Sequence, residues 1–155
     1  MTQQANLYLW ESHVRSLRRV ALDTNSIIYT LDGTEPHASL VRSLLARAVR
    51  GELSITLSVI VEAELLVRPL RTHNARMLDG VEIFLRETPG LSVYPAERRV
   101  ARRAAEIRAR TRLAMPDAII AATALDQRCD AIVGNDILMS TRLQEPPYLV
   151  LDDYA

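Results

Sequence analysis

The sequence contains no lysine, and all 19 of its basic residues are arginine. This absence argues against a receiver-like phosphoacceptor domain, which would need a lysine near its aspartate. The 19 acidic residues balance the arginines, so the formal net charge is zero and gives no argument for binding nucleic acid. Individual arginine side chains can still bind phosphate groups through paired hydrogen bonds.

Cysteine and aromatic residues are also scarce. The single cysteine, Cys129, excludes an internal disulfide and a cysteine-based zinc site, and its position before a predicted strand indicates a small buried thiol. Aromatic residues make up only 5% of the chain, which limits base stacking. No apolar run approaches the roughly 20 residues of a membrane helix, and the N-terminus lacks a secretory layout. We therefore expect a cytoplasmic protein without membrane association.

The length of 155 residues and a hydrophobic content of 48% predict one domain with a substantial core. Residues 1–19 read as an N-terminal extension, and residues 20–155 as the domain itself. Within the extension, Leu7, Trp10, Val14 and Leu17 fall at helical spacing, which predicts a short amphipathic helix. Such a helix can dock on its own domain or on a partner.

Short apolar strands alternate with helices along the chain. Strands are predicted at 19–23, 53–57, 91–94, 131–133 and 148–151, with helices from residue 24 and at 38–50, 58–67, 74–87, 96–112 and 116–125. Pro69 is expected to end the helix that Ser58 caps. The alternation predicts an α/β fold of three layers, α/β/α, around a mainly parallel sheet of four to five strands.

Three aspartates stand where strands end or helices begin. Asp23 and Asp136 follow predicted strands, at the edge where open α/β sheets bind ligands. Asp117 opens an apolar, buried helix. Each also has a structural alternative: a helix cap for Asp23, a turn for Asp136 and a favourable helix dipole for Asp117.

A fourth acid lies in the segment SVIVEAELL, where Glu62 and Glu64 compete. Two residues apart on a helix, they point to different sides. Helical periodicity alone leaves open which of them faces a site.

A pocket of such carboxylates would suit a divalent metal. Hard oxygen ligands without histidine or cysteine favour Mg²⁺ or Mn²⁺ over zinc. These ions polarise a phosphoryl oxygen and lower the pKa of a bound water. The three histidines, His13, His37 and His73, lie outside the acidic segments, so a histidine general base is unsupported.

The same segments resemble the PIN-domain ribonucleases, a family that includes the VapC toxins of bacterial toxin–antitoxin pairs. The resemblance covers residues 20–152 through LDTNSII, SVIVEAELL, PDAIIAATAL and VGNDILM. It implies that the metal ligands and catalytic residues are Asp23, Glu64, Asp117 and Asp136, which favours Glu64 over Glu62. In the fourth motif the family usually has Thr in place of Gly134 and an aromatic residue near Met139.

The resemblance also implies a function. It implies endonucleolytic cleavage of RNA by a water that Mg²⁺ or Mn²⁺ activates, with Asn25 and Ser58 positioning water or substrate. It further implies a homodimer, and an antitoxin that fills the active-site groove. The alternative is a PIN-like domain that binds RNA or protein without cutting.

An arginine stripe runs along the predicted helix 96–112, with an apolar face opposite. Arg99 and Arg103 are its candidate contacts to an RNA backbone. An ordinary solvated helix face is the alternative. The stripe comprises Arg98, Arg99, Arg102, Arg103 and Arg110. The opposite face, which is expected to pack on the core, comprises Val100, Ala104, Ile107 and Thr111.

Overall fold

The computed structural model describes residues 2–155, with side chains from residue 6 onward. Its centre is a five-stranded sheet in which every neighbouring pair is parallel, in the order β3-β2-β1-β4-β5. This confirms the predicted α/β fold with a parallel sheet, and the strand number is five. The strands are β1 Arg19–Leu22, β2 Ser54–Ser58, β3 Leu91–Tyr94, β4 Ala131–Gly134 and β5 Tyr148–Val150.

The sheet is apolar because helices cover it. Val20, Ile55 and Ile132, from the three central strands, are all buried. Parallel strands that are covered on both faces read as near-continuous apolar runs, which is why they were recognisable in the sequence.

Helices connect consecutive strands throughout. Their bounds are α1 Thr2–Val14, α2 Thr24–Asp32, α3 His37–Val49, α4 Val59–Arg71, α5 Ala75–Glu87, α6 Arg98–Thr111, α7 Met115–Asp126 and α8 Ile137–Arg142, with a 3-10 turn at Leu151–Asp153. The short helix α8 was not predicted from the sequence. Within residues 2–155, no helix is long and apolar enough to cross a membrane.

The expectation that Pro69 ends the fourth helix was wrong. The helix α4 runs on to Arg71, with Pro69 buried inside its last turns. A proline removes one backbone donor from the helix, and near the end of a helix few hydrogen bonds depend on it. The Pro69 ring is buried at this position, beside an apolar groove.

The N-terminal helix α1 packs on the domain. Trp10 is fully buried, and its indole N–H donates to the Leu40 carbonyl at 3.0 Å and to the Ser43 hydroxyl at 2.9 Å. Its ring also meets Tyr154 edge-on at 4.9 Å. Met1, in the predicted extension, lies outside the described residues. From Trp10 onward the helix shares the core of the domain.

The strand order places the site. The chain builds β2 and β3 on one side of β1, and β4 and β5 on the other. A crevice forms at such a reversal, outside the carboxyl ends of the strands. Leu22, the last residue of β1, pairs with Val133 of β4, so the residues that follow these two strands begin side by side.

Candidate active site

Asp23 stands directly after β1 and is 6% exposed. It is also the N-cap of α2, because its Oδ1 accepts the Thr24 backbone N–H at 2.8 Å. A helix cap was the structural alternative that the sequence offered for Asp23, and Asp23 does cap α2. Its Oδ2 accepts the Tyr148 hydroxyl at 2.8 Å. Burial, the largest influence, raises the pKa of Asp23, and these two hydrogen bonds oppose it.

Asp136 follows β4 and caps α8. Its Oδ1 accepts the Met139 backbone N–H at 2.9 Å. Its own backbone N–H donates to the Tyr148 hydroxyl at 3.1 Å. The turn predicted at Asp136 is thus the start of a short helix. The Tyr148 hydroxyl contacts both Asp136 and Asp23.

Glu64, on α4, faces the start of α2. The Thr24 hydroxyl donates a short hydrogen bond to its carboxylate. Glu62 instead lines a separate surface depression with Glu82, Leu85 and Val93. The choice that periodicity left open is therefore resolved in the structure: Glu64, and not Glu62, lies near Asp23.

Asp117 occupies the first turn of α7 and is half-buried. Burial raises its pKa to about 6, and the negative charges of Asp136, Asp23 and Glu64 contribute to the same shift. An acid with such a pKa is costly to ionise. It is also a common feature of functional sites.

These four carboxylates share one electrostatic environment. Glu64 and Asp136 raise the pKa of Asp23, and the other three acids raise that of Asp117. No cation is among the groups that shift either pKa. The carboxyl edge of the sheet therefore gathers four acidic side chains, and no cation offsets the raised pKa of Asp23 or Asp117.

The donor chemistry fits Mg²⁺ or Mn²⁺. All four candidate ligands are carboxylates, which hard divalent ions prefer. Among the described residues, no group of three or more histidine, cysteine, aspartate or glutamate side chains is placed so that it could hold a metal ion together. Mg²⁺ usually binds through one or two carboxylates and fills its remaining positions with water or phosphate oxygens, so an open arrangement suits it.

The predicted substrate contacts Asn25 and Ser58 differ in their surroundings. Ser58 is 3% exposed and caps α4, its hydroxyl accepting the Ile60 backbone N–H at 3.2 Å. Asn25 is exposed in the first turn of α2, one residue beyond Thr24. Ser58 thus has a structural task, while the substrate roles of both residues stay predictions.

Arg99 is not brought to the four acids. It pairs with Asp126 at 3.0 Å, near the C-terminal end of α7. At 1.5 Å per residue, that end lies about 13 Å along the helix from Asp117. Arg103 is exposed on the same helix as Arg99. Any contact of Arg99 with RNA would lie away from the carboxylates.

Sequence reasoning missed three residues at the site: Thr24, Tyr148 and Gly134. Gly134 carried a signal, as a glycine in a strand where the related motif has a side chain. For Tyr148 there was none, since its contact with Asp23 joins residues 125 apart in sequence.

Comparison with known proteins agrees with this architecture. The family model described as "PIN domain" matches residues 20–140. No curated protein matches the chain in sequence.

Several solved structures share the fold. VapBC2 from Rickettsia felis, bound to a DNA fragment from its promoter, aligns with a TM-score of 0.70 at 20% identity, covering 85% of this chain and 98% of that chain. A toxin–antitoxin complex from Klebsiella pneumoniae aligns with a TM-score of 0.66 at 19% identity, covering 85% of this chain and 97% of that chain. VapC20 from Mycobacterium tuberculosis, a toxin that cleaves the sarcin-ricin loop, aligns with a TM-score of 0.63 at 15% identity. The alignment covers 79% of this chain and 93% of that chain.

Proposed function

The chain belongs to the PIN-domain family, and from this premise we propose that it is a metal-dependent endoribonuclease, the toxin of a toxin–antitoxin pair. One observation carries the proposal: Asp23, Glu64, Asp117 and Asp136 come together at the carboxyl edge of the sheet, where the negative charges of their neighbours help to raise the pKa of Asp23 and of Asp117. Maintaining such repulsion costs stability, which a nuclease would recover when it binds its metal.

Each proposed metal ligand except Asp117 is oriented by a neighbour. Thr24 and Tyr148 fix the two oxygens of Asp23, the Thr24 hydroxyl holds Glu64, and the Met139 N–H holds Asp136. A divalent ion held by these residues supplies Lewis acidity at the phosphoryl oxygen and an acidified water for hydrolysis. Carboxylates whose orientation is already fixed by hydrogen bonds lose less freedom when they bind the ion.

Substrate would approach over α2 and α4. We assign Asn25 and Ser58 to positioning water or RNA near the carboxylates. Arg99 and Arg103 would contact phosphates farther along the RNA, where they fix the position of the RNA without reading its sequence. A cytoplasmic location and a homodimer belong to the same proposal, and sedimentation of the purified protein tests the second.

An apolar groove beside Glu64 is the proposed antitoxin surface. It has a volume of about 390 Å³, and its charged residues are Glu64, Asp32, Arg76 and Arg68, which pairs with Asp32 at 3.5 Å. We propose that an antitoxin segment inserts apolar side chains here and directs a basic residue at the neighbouring acids. Similar folds in complexes with antitoxins support a partner of this class. The apolar lining comprises Ile28, Leu31, Leu65, Pro69, Met77 and Val81.

Cleavage of a structured RNA with Mg²⁺ or Mn²⁺ tests the nuclease assignment. The protein should cut, and Asp23→Asn should lower the rate by roughly 100-fold or more, the scale for losing one group that stabilises a transition state. Asp79→Asn, which changes an exposed acid on α5, is the matched control and should cut normally.

Two results would contradict the assignment. Equal cleavage by the protein and Asp23→Asn would remove Asp23 from catalysis. Absence of cleavage by either, together with retained RNA binding, would favour the binding-module alternative.

A further inference from the structure

Tyr148 reaches across one strand of the sheet to the candidate site. It begins β5, the edge strand, and β4 lies between it and β1. Its hydroxyl nevertheless contacts Asp23, the residue that follows β1. The side chain therefore spans β4 and connects the start of β5 with the residues that follow β1 and β4.

Gly134 provides the space for this crossing. A Cβ at position 134 would overlap the Tyr148 hydroxyl and lie 3.0 Å from Cζ of the same ring. It would also lie 2.7 Å from the Asp23 Cβ. A glycine inside a strand often marks such a close approach, and here it allows the tyrosine to reach the aspartate.

The Tyr148 hydroxyl is fully used at this position. It donates its single proton to Asp23 Oδ2 at 2.8 Å and accepts the Asp136 backbone N–H at 3.1 Å. One oxygen thus fixes the orientation of the first candidate ligand and the backbone position of another. A carboxylate oxygen that accepts one hydrogen bond keeps a lone pair for a cation.

We propose that Tyr148 is a positioning residue of the carboxylate site, holding Asp23 and Asp136 in place for the divalent ion, and that Gly134 exists to admit it. The inference rests on the proposed metal-dependent function. Residues that orient metal ligands in this way typically change metal affinity or activity 10- to 100-fold when they are replaced.

Mn²⁺ binding measured by electron paramagnetic resonance, on the full chain without RNA, tests the role directly. Tyr148→Phe keeps the ring and removes only the hydroxyl. We expect Mn²⁺ affinity to fall roughly 10- to 100-fold. In RNA cleavage, kcat should fall by a similar factor while KM stays within about twofold, since Tyr148 contacts the ligands and not the substrate.

Tyr154→Phe is the matched control. Tyr154 is also a tyrosine with a hydrogen-bonded hydroxyl, which lies 2.8 Å from Nδ1 of His13 in α1. Its loss should leave Mn²⁺ affinity unchanged. A purely structural role for Tyr148 would make the two variants alike in both thermal stability and Mn²⁺ affinity.

The partnership with Gly134 has its own test. Gly134→Ala should weaken Mn²⁺ binding at least as much as Tyr148→Phe, because the new methyl displaces the hydroxyl. In the double variant the effects should be less than additive, since both changes remove the same contact. Full additivity would overturn the assigned purpose of Gly134.

The outcomes separate this inference from the proposed function. If the unaltered protein binds Mn²⁺ and cuts RNA while Tyr148→Phe matches it within twofold, the positioning role is overturned and the function stands. If the unaltered protein binds no Mn²⁺, both are overturned. A selective loss in Tyr148→Phe, with Tyr154→Phe unaffected, supports both.

Discussion

The Thr24 hydroxyl donates a hydrogen bond to the Glu64 carboxylate, joining the first residue of α2 to the middle of α4 across 40 residues of sequence. The same residue presents its backbone N–H to Asp23. Thr24 thus touches two of the four clustered acids without being acidic itself. Its hydroxyl can orient Glu64, whose side chain is otherwise exposed.

Replacement of Thr24 by valine should reduce RNA cleavage by about tenfold. Valine has nearly the same shape but cannot donate to Glu64, so the carboxylate loses its orientation. The backbone N–H to Asp23 remains. Thr24→Ser keeps a hydroxyl and should stay within about threefold of the unaltered protein, measured as kcat under saturating Mn²⁺. Equal losses for valine and serine would contradict a role for the hydroxyl.

Asp117→Asn should stabilise the metal-free protein at pH 8. The pKa of Asp117 is about 6 in the folded state, against roughly 3.9 in an unfolded chain. The folded state therefore binds more protons between these values, and stability falls as pH rises from about 4 to 6. Above pH 6 the cost is complete. Asparagine carries no charge and avoids it.

The stabilisation by Asp117→Asn should be about 1 kcal/mol, because a half-exposed group realises only part of its shift. Urea unfolding in EDTA measures it, and the difference should shrink towards zero at pH 4.5, where Asp117 is protonated. Asp79→Asn should show no such pH-dependent gain. A stabilisation by Asp117→Asn that is as large at pH 4.5 as at pH 8 would exclude the electrostatic cause.

Trp10→Ala should destabilise the domain by about 3–5 kcal/mol, the usual cost of removing a large buried aromatic side chain. Trp10 is fully buried and hydrogen-bonded to α3, so its loss leaves a cavity and removes two hydrogen bonds. Tyr8→Ala on the same helix, where the side chain is 72% exposed, should change stability by less than about 0.5 kcal/mol.

Urea unfolding of the two α1 variants makes the comparison. Similar midpoints for Trp10→Ala and the unaltered protein would show that α1 is separable from the domain.

The fold was largely predictable from sequence because its determinants are local. Buried parallel strands such as AIV at 131–133 are apolar along their whole length, and capping or turn residues separate them from the helices. Helix α8 escaped prediction, since its six residues are too few for periodicity to emerge. The extent of α4 was misjudged because the packing that buries Pro69 is not visible in the local sequence.

The site was less predictable, for reasons of distance and direction. Asp23 and Asp117 were noticed from strand and helix boundaries, which are local features. The contact of Tyr148 with Asp23 depends on a glycine in an intervening strand, and only three dimensions reveal it. For Arg99, periodicity indicated an exposed helix face but not that this residue points towards Asp126.

Anomalous diffraction from a crystal soaked in Mn²⁺ is the most direct test that the clustered acids form a metal site. The account predicts a peak within ligand distance of Asp23 and at least one of Glu64, Asp117 and Asp136. That peak should disappear in Asp23→Asn. An occupied Mn²⁺ site elsewhere on the protein, with no density between these carboxylates, would contradict it.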